Sequence, residues 1–388
     1  MYLIFSYYTN VLLIYNLYVY NGLYLVFSFP IYYHIVVVEH VNHNILITGG
    51  SGFIGSNFVR WMYNRYPEYR IFNLDALTYA GNPENLQDIE RQEIAKQPAD
   101  KRYHFINGDV CDGKLLDAIF HAHNFELVVH FAAETHVDRS LVSAANFIRT
   151  NIEGTRSLME SVQQYNTPRL VHISTDEVYG SVAQGLSDEN ASLKPSNPYA
   201  TSKAGADLLV QSYVKTYKIP AIIIRGSNNY GPYQYPEKLI PMAVSNLMEN
   251  KKIPLHGSGE HVRSWLHVND FCSAIDLVAH NGRDGAIYNV SGEEMSNLEI
   301  LSIIARHLGK DIEKHKEHVG DRPGADMRYA PDSALLQKEL GWSRANSVRY
   351  HLVGVVNWYA ENHDWWRKIK ATNEFREYYD KQAKAQWY

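Results

Sequence analysis

Two neighbouring carboxylic acids, Asp176 and Glu177, stand directly after an apolar stretch and a threonine in the segment STDEVYG, residues 174–180. In a closed site, repulsion between two such groups drives their pKa values apart, so that one is an acid while the other is a base. The alternative is a solvated turn, because carboxylates are mostly exposed in proteins. The choice between the two depends on what the rest of the chain places beside this pair.

A second candidate pair is Tyr199 and Lys203, in the segment NPYATSKAGAD. Four residues of separation in a predicted helix put both side chains on one face, one turn apart. An ammonium near a phenol favours the phenolate, so we expect the pKa of Tyr199 to be lowered. Such a tyrosine can take a proton from a sugar hydroxyl while a cofactor takes hydride from the same carbon. The alternative is an ordinary surface pair.

A glycine-rich segment, GGSGFIG, places Gly49, Gly52 and Gly55 between a predicted strand and a predicted helix. Glycines in this context allow a tight turn and let the backbone approach a pyrophosphate at the helix N-terminus. Asp75 ends the next predicted strand, where it would bind ribose hydroxyls and repel a 2'-phosphate. We therefore expect NAD rather than NADP. Asp109, at the end of the third strand, would contact the adenine or else cap a helix.

The elements that must position these residues form an alternating pattern. Short apolar stretches predict strands over residues 44–48, 70–75, 103–109, 126–133, 169–175 and 220–225, and helical patterns lie between several of them, notably over 140–164 and 199–217. This order predicts an α/β fold with a doubly wound parallel sheet of the Rossmann type, which binds ligands at the carboxyl ends of its strands. We expect a NAD-binding domain over residues 44–225. Residues 226–388 should form a smaller mixed lobe that binds substrate and is partly interleaved with that domain.

The first 43 residues are an apolar N-terminal extension. Residues 1–38 contain no charged side chain, and the segment is mainly Tyr, Leu, Ile, Val and Phe, interrupted by Asn10, Asn16, Asn21 and Pro30. Three interpretations remain open. The segment is a product of AT-rich DNA read in frame and foreign to the natural protein, or a membrane or interface anchor, or an ordered addition. Membrane contact is expected only through this extension.

The composition narrows the class of protein. Over 388 residues the net charge is −5 and 45% of residues are hydrophobic, which favours a globular protein and argues against a nucleic-acid partner. The two cysteines, Cys111 and Cys272, are far apart and give no disulfide framework. They are typical of a reducing compartment, so we expect a cytoplasmic protein. No histidine spacing indicates a metal site.

Several motifs, taken in order, resemble one family. GxxGxxG with YxxxK resembles the extended short-chain dehydrogenase/reductases, and within them the dTDP-glucose 4,6-dehydratases are the closer likeness. The motifs are LDALTYAGNPENL, AAETHVDRS, STDEVYG, NPYATSKAGAD, SNNYGPYQYPEKLIP and GDRPGADMRYA. The resemblance runs from Asn44 almost to the C-terminus. It implies a lyase that oxidises C4 of dTDP-glucose with NAD, removes water across C5 and C6, and returns hydride to C6, for the synthesis of dTDP-rhamnose-type deoxysugars.

The resemblance also implies roles for individual residues. Tyr199 would deprotonate the sugar hydroxyl, with Lys203 as its partner; Asp176 would be the acid and Glu177 the base of dehydration. The implied catalytic set is Thr175, Asp176, Glu177, Tyr199 and Lys203. The implied cofactor set is Gly49, Gly52, Phe53, Ile54, Gly55, Asp75, Asp109, Val110, Ala132, Ala133, Thr150, Tyr199, Lys203 and Asn229. The implied substrate set is Thr135, Thr175, Asn228, Lys238, Arg263 and Asn297, with Arg263 on the diphosphate.

Two positions depart from the family pattern, and both would lie near the nucleotide. Ser264 replaces an acid, and Ala325 replaces a histidine. The alternatives are another NAD-dependent nucleotide-sugar enzyme, such as an epimerase or a decarboxylase, and a non-catalytic, membrane-tethered NAD-binding scaffold. An intact acid pair disfavours the first, and an intact Tyr/Lys pair disfavours the second. The resemblance further implies a homodimer in which helices 140–164 and 199–217 form a four-helix bundle.

Overall fold

A computed structural model of the chain describes residues 2–8, 11–20, 23–28, 32–35 and 43–384. Two compact units are present, Met1–Asn42 and His43–Tyr388. In the first unit, four strands form an antiparallel meander in chain order: β1 Tyr2–Tyr8, β2 Val11–Tyr20, β3 Leu23–Ser28 and β4 Tyr32–Ile35. Among the described residues, no helix is both long and apolar enough to cross a membrane. The interpretations of the extension stay predictions, and part of it lies outside the described residues.

The second unit contains the remaining elements. Its strands are β5 His43–Thr48, β6 Tyr69–Asp75, β7 Tyr103–Asn107, β8 Phe125–His130, β9 Leu170–Thr175, β10 Ala221–Gly226, β11 Asn228–Tyr230, β12 Ile253–His256, β13 Val262–His267, β14 Ile287–Val290, β15 Glu293–Ser296 and β16 Lys316–Val319. Its α-helices are α1 Phe53–Arg65, α2 Gln87–Ile94, α3 Gly113–Ala122, α4 Val137–Val142, α5 Ala145–Phe147, α6 Thr155–Gln164, α7 Pro198–Tyr217, α8 Leu239–Met248, α9 Val268–Asn281, α10 Asn297–His307, α11 Ile312–His315, α12 Ala334–Leu340, α13 Val348–Glu361, α14 His363–Lys370 and α15 Asn373–Ala383.

A seven-stranded parallel sheet forms the centre of this unit, in the order β14-β10-β9-β8-β5-β6-β7. All six residues of β9 and of β10 are buried, because helices cover both faces of the sheet. The strand order reverses between β5 and β8, and a ligand crevice forms at such a point. The predicted Rossmann-type fold is therefore confirmed.

The two faces of the sheet carry separate cores. On one face, α1 packs with α9 through Phe58, Met62, Phe271 and Ile275. On the other face, α3, α6 and α7 contribute the cluster that includes Leu116, Phe120, Leu158, Met159 and Val210. Each helix thus buries one apolar stripe against the strands, as expected for a doubly wound sheet.

The helical pattern predicted over residues 140–164 is helical in the structure except for a break at Ser143 and Ala144. The chain leaves helical geometry at Ser143, where φ is −154° and ψ is 119°, and then continues as α5, a π-helical segment Ile148–Gly154, and α6. Within the π-helical segment, the buried side chain of Asn151 accepts a hydrogen bond from the Glu134 amide at 2.8 Å. It also donates a hydrogen bond to Ser202 Oγ at 2.8 Å. A local widening of the helix thus accompanies side-chain contacts to the loop at Glu134 and to helix α7, which an apolar pattern cannot reveal.

A third core, built mainly from residues after position 226, supports a smaller mixed lobe. It combines α8, α10 and α13 with Trp365, Trp366 and Phe375 near the C-terminus. Two small sheets flank it, β11-β13-β15 and β12-β16. Three later elements, α9, α12 and β14, pack in the layers of the central sheet. The boundary at residue 225 stays a prediction.

Candidate active site

The glycine-rich loop joins β5 to α1 at the reversal of the strand order. Gly49 has a φ of 73°, and a Cβ atom there would lie 2.6 Å from the Ala132 amide nitrogen. A Cβ atom on Gly55 would overlap the carbonyl oxygen of Gly49. These close approaches require glycine, and they leave the first backbone N–H groups of α1 facing the crevice, where they favour an anionic ligand.

Two carboxylates lie at the ends of the next strands. Asp75 accepts hydrogen bonds from the amides of Ser51 at 2.9 Å and Leu77 at 2.8 Å, while burial raises its pKa. Asp109 is partly buried, but hydrogen bonding from the Cys111 amide and the Arg149 guanidinium at 2.7 Å lowers its pKa. Asp109 does not cap α3, because Asp112 is the N-cap of that helix.

The glycine-rich loop, Asp75 and Asp109 line one cavity of about 430 Å³. The cavity is large enough for a dinucleotide-type ligand, and its wall contains every predicted cofactor residue. They are Gly49, Gly52, Phe53, Ile54, Gly55, Asp75, Asp109, Val110, Ala132, Ala133, Thr150, Tyr199, Lys203 and Asn229. The open glycine loop and the carboxylate of Asp75 fit the pyrophosphate and adenosine ribose of NAD.

Helix α7 brings Tyr199 and Lys203 to this cavity. Its N-cap is Asn197, whose side chain accepts the Ala200 amide at 2.9 Å, and Pro198 is its first residue. The Lys203 ammonium donates to the carbonyl oxygen of Ile173 at 2.7 Å, and burial lowers its pKa to about 8. The two side chains therefore share one face of the helix at the end of β9.

The expected lowering of the Tyr199 pKa is wrong for this structure. Burial raises the pKa, and the nearby carboxyl groups of Glu177 and Asp176 raise it further. A hydrogen bond with Thr175 acts in the opposite direction and favours the phenolate. The prediction considered only the helical neighbour Lys203, whereas burial and the acid pair dominate.

Asp176 is buried and Glu177 is partly buried, so the solvated-turn alternative is excluded. Asp176 is 1% exposed, and its Oδ2 atom has no hydrogen-bond partner among the described residues. Burial and the charge of Glu177 raise the pKa of Asp176 far above its usual range. Burial also raises the pKa of Glu177, but Arg263 and Lys238 oppose this rise. The directions of the two shifts therefore favour Asp176 over Glu177 as the group that holds a proton.

A second cavity, of about 170 Å³, adjoins the first at Glu177, because both are lined by Glu177, Thr135, Asn228 and Lys238. Arg263 and Asn297, the other predicted substrate residues besides Thr175, line only the second cavity. The Arg263 guanidinium lies over the Tyr329 ring at 4.5 Å. The predicted cofactor and substrate residues thus line two adjoining cavities with Glu177 at their junction.

The two departures from the family pattern occupy different surroundings. Ser264 is buried and accepts the Gly292 amide at 2.7 Å, so its hydroxyl supports a backbone turn. Ala325 lines the second cavity beside Arg322. Only Ala325 therefore lies where it alters the wall of the cavity.

Comparison with known proteins decides the family. A family model described as GDP-mannose 4,6 dehydratase matches residues 46–352. The dTDP-glucose 4,6-dehydratase of Streptomyces niveus is 45% identical over 336 residues, covering 85% of this chain and 96% of the relative. The chain belongs to the dTDP-glucose 4,6-dehydratase family. The Escherichia coli dTDP-glucose 4,6-dehydratase is 39% identical over 355 residues, covering 84% of this chain and 96% of the relative.

Solved structures of dTDP-glucose 4,6-dehydratases share the fold. The Streptomyces venezuelae enzyme with NAD and TYD bound has a TM-score of 0.79 and 43% identity, covering 84% of this chain and 100% of that chain. The Bacillus anthracis enzyme in complex with NAD has a TM-score of 0.77 and 45% identity, covering 84% and 99%. A UDP-glucose 4-epimerase of Thermotoga maritima is more distant, with a TM-score of 0.75 and 25% identity, covering 82% and 99%.

Sequence reasoning missed three polar residues beside the acid pair of this dehydratase-family chain. The Tyr329 hydroxyl lies 3.5 Å from Glu177 Oε2 and donates to Asp326 at 2.8 Å. Asn197 lines the second cavity, and its side chain hydrogen-bonds with Glu177. Tyr329 and Asp326 fall in the motif GDRPGADMRYA, so the signal was present, but only folding shows that this loop reaches Glu177.

Proposed function

We propose that this chain catalyses the NAD-dependent dehydration of dTDP-glucose to dTDP-4-keto-6-deoxyglucose. The observation that carries the proposal is Glu177 at the junction of the two cavities, with Tyr199 in the wall of the first and the buried carboxyl group of Asp176 next to Glu177 in the chain. An epimerase or a decarboxylase needs no acid and base for losing water, and a scaffold needs no reactive pair. No described residue favours either alternative.

The residues divide the work of oxidation at C4. Thr175 holds the C4 hydroxyl, and Tyr199 takes its proton as a phenolate, the form that the hydrogen bond with Thr175 favours against the effect of burial on the pKa. Lys203 keeps a positive charge nearby, and its ammonium is fixed by the carbonyl oxygen of Ile173 at 2.7 Å. The glycine loop and Asp75 would hold NAD, which would supply reversible hydride transfer at the sugar carbons.

Loss of water follows once C4 is a ketone, because the ketone acidifies the C5 proton. Glu177 takes that proton as a carboxylate, and Asp176 protonates the departing C6 hydroxyl as a neutral acid. The raised pKa of Asp176 fits a proton donor at neutral pH, and the charges of Arg263 and Lys238 fit an ionised Glu177. Glu177 finally returns a proton to C5. Each proton removed therefore has a named carrier.

The remaining substrate residues would bind the nucleotide end. Arg263 suits a diphosphate, since its guanidinium can donate to two phosphate oxygens at once. Asn297 lies in the same cavity, while Thr135, Asn228 and Lys238 border both cavities and would contact the sugar or the phosphates.

The direct test is to incubate the protein with dTDP-glucose and NAD and to analyse the product. We expect a 4-keto-6-deoxy sugar, identified by its mass, by reduction with borodeuteride and by NMR. Recovery of unchanged dTDP-glucose, or of its C4 epimer, would contradict the proposal.

We further propose a homodimer formed through α7 and the helical segments before α6. Leu208 and Ile148 are 58% and 55% exposed, which is unusual for large apolar residues on neighbouring helices. Gly205 packs closely against Ile152, so the two helical segments are in contact and present one surface.

Light scattering at micromolar concentration should give a dimer mass, and Leu208→Asp should give a monomer. A monomeric wild-type protein would contradict the proposal.

The compartment is proposed from the cysteines. Cys111 and Cys272 are both free. Free thiols are typical of a reducing environment, so we place the protein in the cytoplasm. Fractionation of cells followed by an activity assay tests this assignment.

A further inference from the structure

Arg139, in α4, is held between two aromatic rings. Its guanidinium carbon lies 3.6 Å from the centre of the Tyr79 ring and 3.9 Å from the centre of the Tyr378 ring. The residue is only 8% exposed. A planar guanidinium can stack on a ring with each face, and the attraction grows when water is excluded.

Two carboxylates complete the surroundings of Arg139. Its Nε atom donates to Glu237 Oε2 at 3.3 Å, and its Nη1 atom donates to Glu374 Oε1 at 2.9 Å. Glu374 and Tyr378 both belong to α15, the helix nearest the C-terminus. On the same helix, the buried Gln382 donates to the backbone carbonyl of Glu237 at 3.3 Å. Helix α15 therefore contacts both Arg139 and Glu237.

The other partners of Arg139 lie at the sugar end of the cavities. The hydroxyl of Tyr79 is 3.5 Å from Thr135 Oγ1. Glu237 borders both cavities and precedes Lys238, whose ammonium donates to the Thr135 carbonyl oxygen at 3.1 Å. Thr135 is thus contacted by Tyr79 and by Lys238, and Arg139 contacts Tyr79 directly and Glu237, the residue before Lys238.

We propose that Arg139, clamped by α15, is a positioning residue that fixes Tyr79 and Glu237 around Thr135 and so orients the glucose of the substrate. The proposal rests on the proposed function. Arg139 does not touch the reacting atoms; it acts by removing freedom from the residues that do. Small errors in the placement of a reacting sugar reduce the rate steeply.

The test uses two variants of the full chain at one position outside both cavities. Tyr378→Phe keeps the ring over Arg139, whereas Tyr378→Leu removes it. We expect Tyr378→Phe to stay within about twofold of the wild type and Tyr378→Leu to lose about tenfold in kcat/KM for dTDP-glucose. Binding of dTDP, which lacks the sugar, and of NAD should be unchanged in both variants.

A matched control separates Arg139 from a second cation. Lys381 lies 5.5 Å from the same ring on the exposed side of α15, so Lys381→Met should leave kcat/KM unchanged. Arg139→Lys keeps the charge opposite Glu237 but cannot stack on both rings. It should show the same selective loss of sugar turnover as Tyr378→Leu.

The outcomes are distinguishable. An inactive wild-type protein would overturn the proposed function itself. An active wild type with equal rates for Tyr378→Leu and Tyr378→Phe would overturn the role of Arg139. Loss of dTDP or NAD binding in Tyr378→Leu, together with a lower melting temperature, would assign α15 a general structural role and would also overturn the proposal.

Discussion

At the scale of single residues, the central feature is that Asp176 and Glu177 are neighbours in sequence but not equivalent in environment. Asp176 lies deeper, with an unpartnered oxygen, whereas Glu177 faces the positive charges of Arg263 and Lys238. We therefore propose that these two neighbouring residues supply an acid, Asp176, and a base, Glu177. The two variants of this pair should fail at different steps.

Asp176→Asn removes the proton donor for the C6 hydroxyl but leaves the oxidation at C4 intact. Addition of dTDP-glucose should still reduce bound NAD, seen as absorbance at 340 nm. Formation of the 4-keto-6-deoxy product should fall by about 100-fold or more, the usual scale for loss of a general acid. Glu177→Gln should in addition stop solvent deuterium from appearing at C5. Product formation by Asp176→Asn at the wild-type rate would contradict the assignment.

Lys203 predicts a pH dependence of the oxidation step. Burial lowers its pKa to about 8, so the ammonium is present below this pH and is lost as the pH rises through it. The kcat/KM for NAD reduction, which reports the free enzyme, should therefore fall above a pH of about 8. Lys203→Arg keeps the charge and should move this decline to higher pH. A decline that stays near pH 8 in Lys203→Arg would belong to another group.

The pKa of Tyr199 marks the limit of sequence reasoning at this scale. The four-residue spacing correctly placed Tyr199 and Lys203 on one helical face, because helix geometry is local. It gave the wrong direction for the pKa, because burial and the approach of Glu177 depend on tertiary packing. Tyr329 and Asp326 were missed for the same reason, since they reach Glu177 from a loop some 150 residues away in sequence.

At the scale of elements, the strands that a parallel sheet buries on both faces were predictable from continuous apolar stretches. Five of the six predicted strands end within two residues of the observed ends, and the exception, β8, ends at His130, before the predicted Ala133. The seventh strand, β14, was missed because it has only four residues and follows a region of irregular pattern. The break at Ser143 was missed because an apolar pattern does not report backbone geometry.

In the loop between β5 and α1, the backbone conformation at Gly49 requires glycine. Gly49→Ala would place a methyl group against the Ala132 amide and force a positive φ on alanine. Such strain costs about 1–3 kcal/mol, so NAD affinity should fall by roughly tenfold or more. Gly113→Ala at the start of α3 meets no atom within 4 Å and should bind NAD normally. Calorimetric titration of both variants with NAD checks the contrast, and equal affinities would contradict it.

At the scale of the whole molecule, the candidate site belongs entirely to one unit. The residues that line both cavities fall within His43–Tyr388, while Met1–Asn42 is a separate compact unit. A chain that starts at Val41 should therefore be soluble, bind NAD and turn over dTDP-glucose at the rate of the full chain. Insolubility of this shortened chain, or loss of NAD, would show that the extension belongs to the fold.

Strand β14 joins the central sheet late in the chain, after much of the smaller lobe, and this order has a consequence for synthesis on the ribosome. Strand β10, buried on both faces, has β14 as its outer neighbour, and 60 residues, which include parts of the smaller lobe, separate the two in sequence. Until that lobe has been translated, β10 presents an open edge of unpaired backbone groups, which invites pairing with another chain. Nascent chains interrupted between these strands should therefore aggregate readily and depend on chaperones, whereas chains released after β14 can close the sheet.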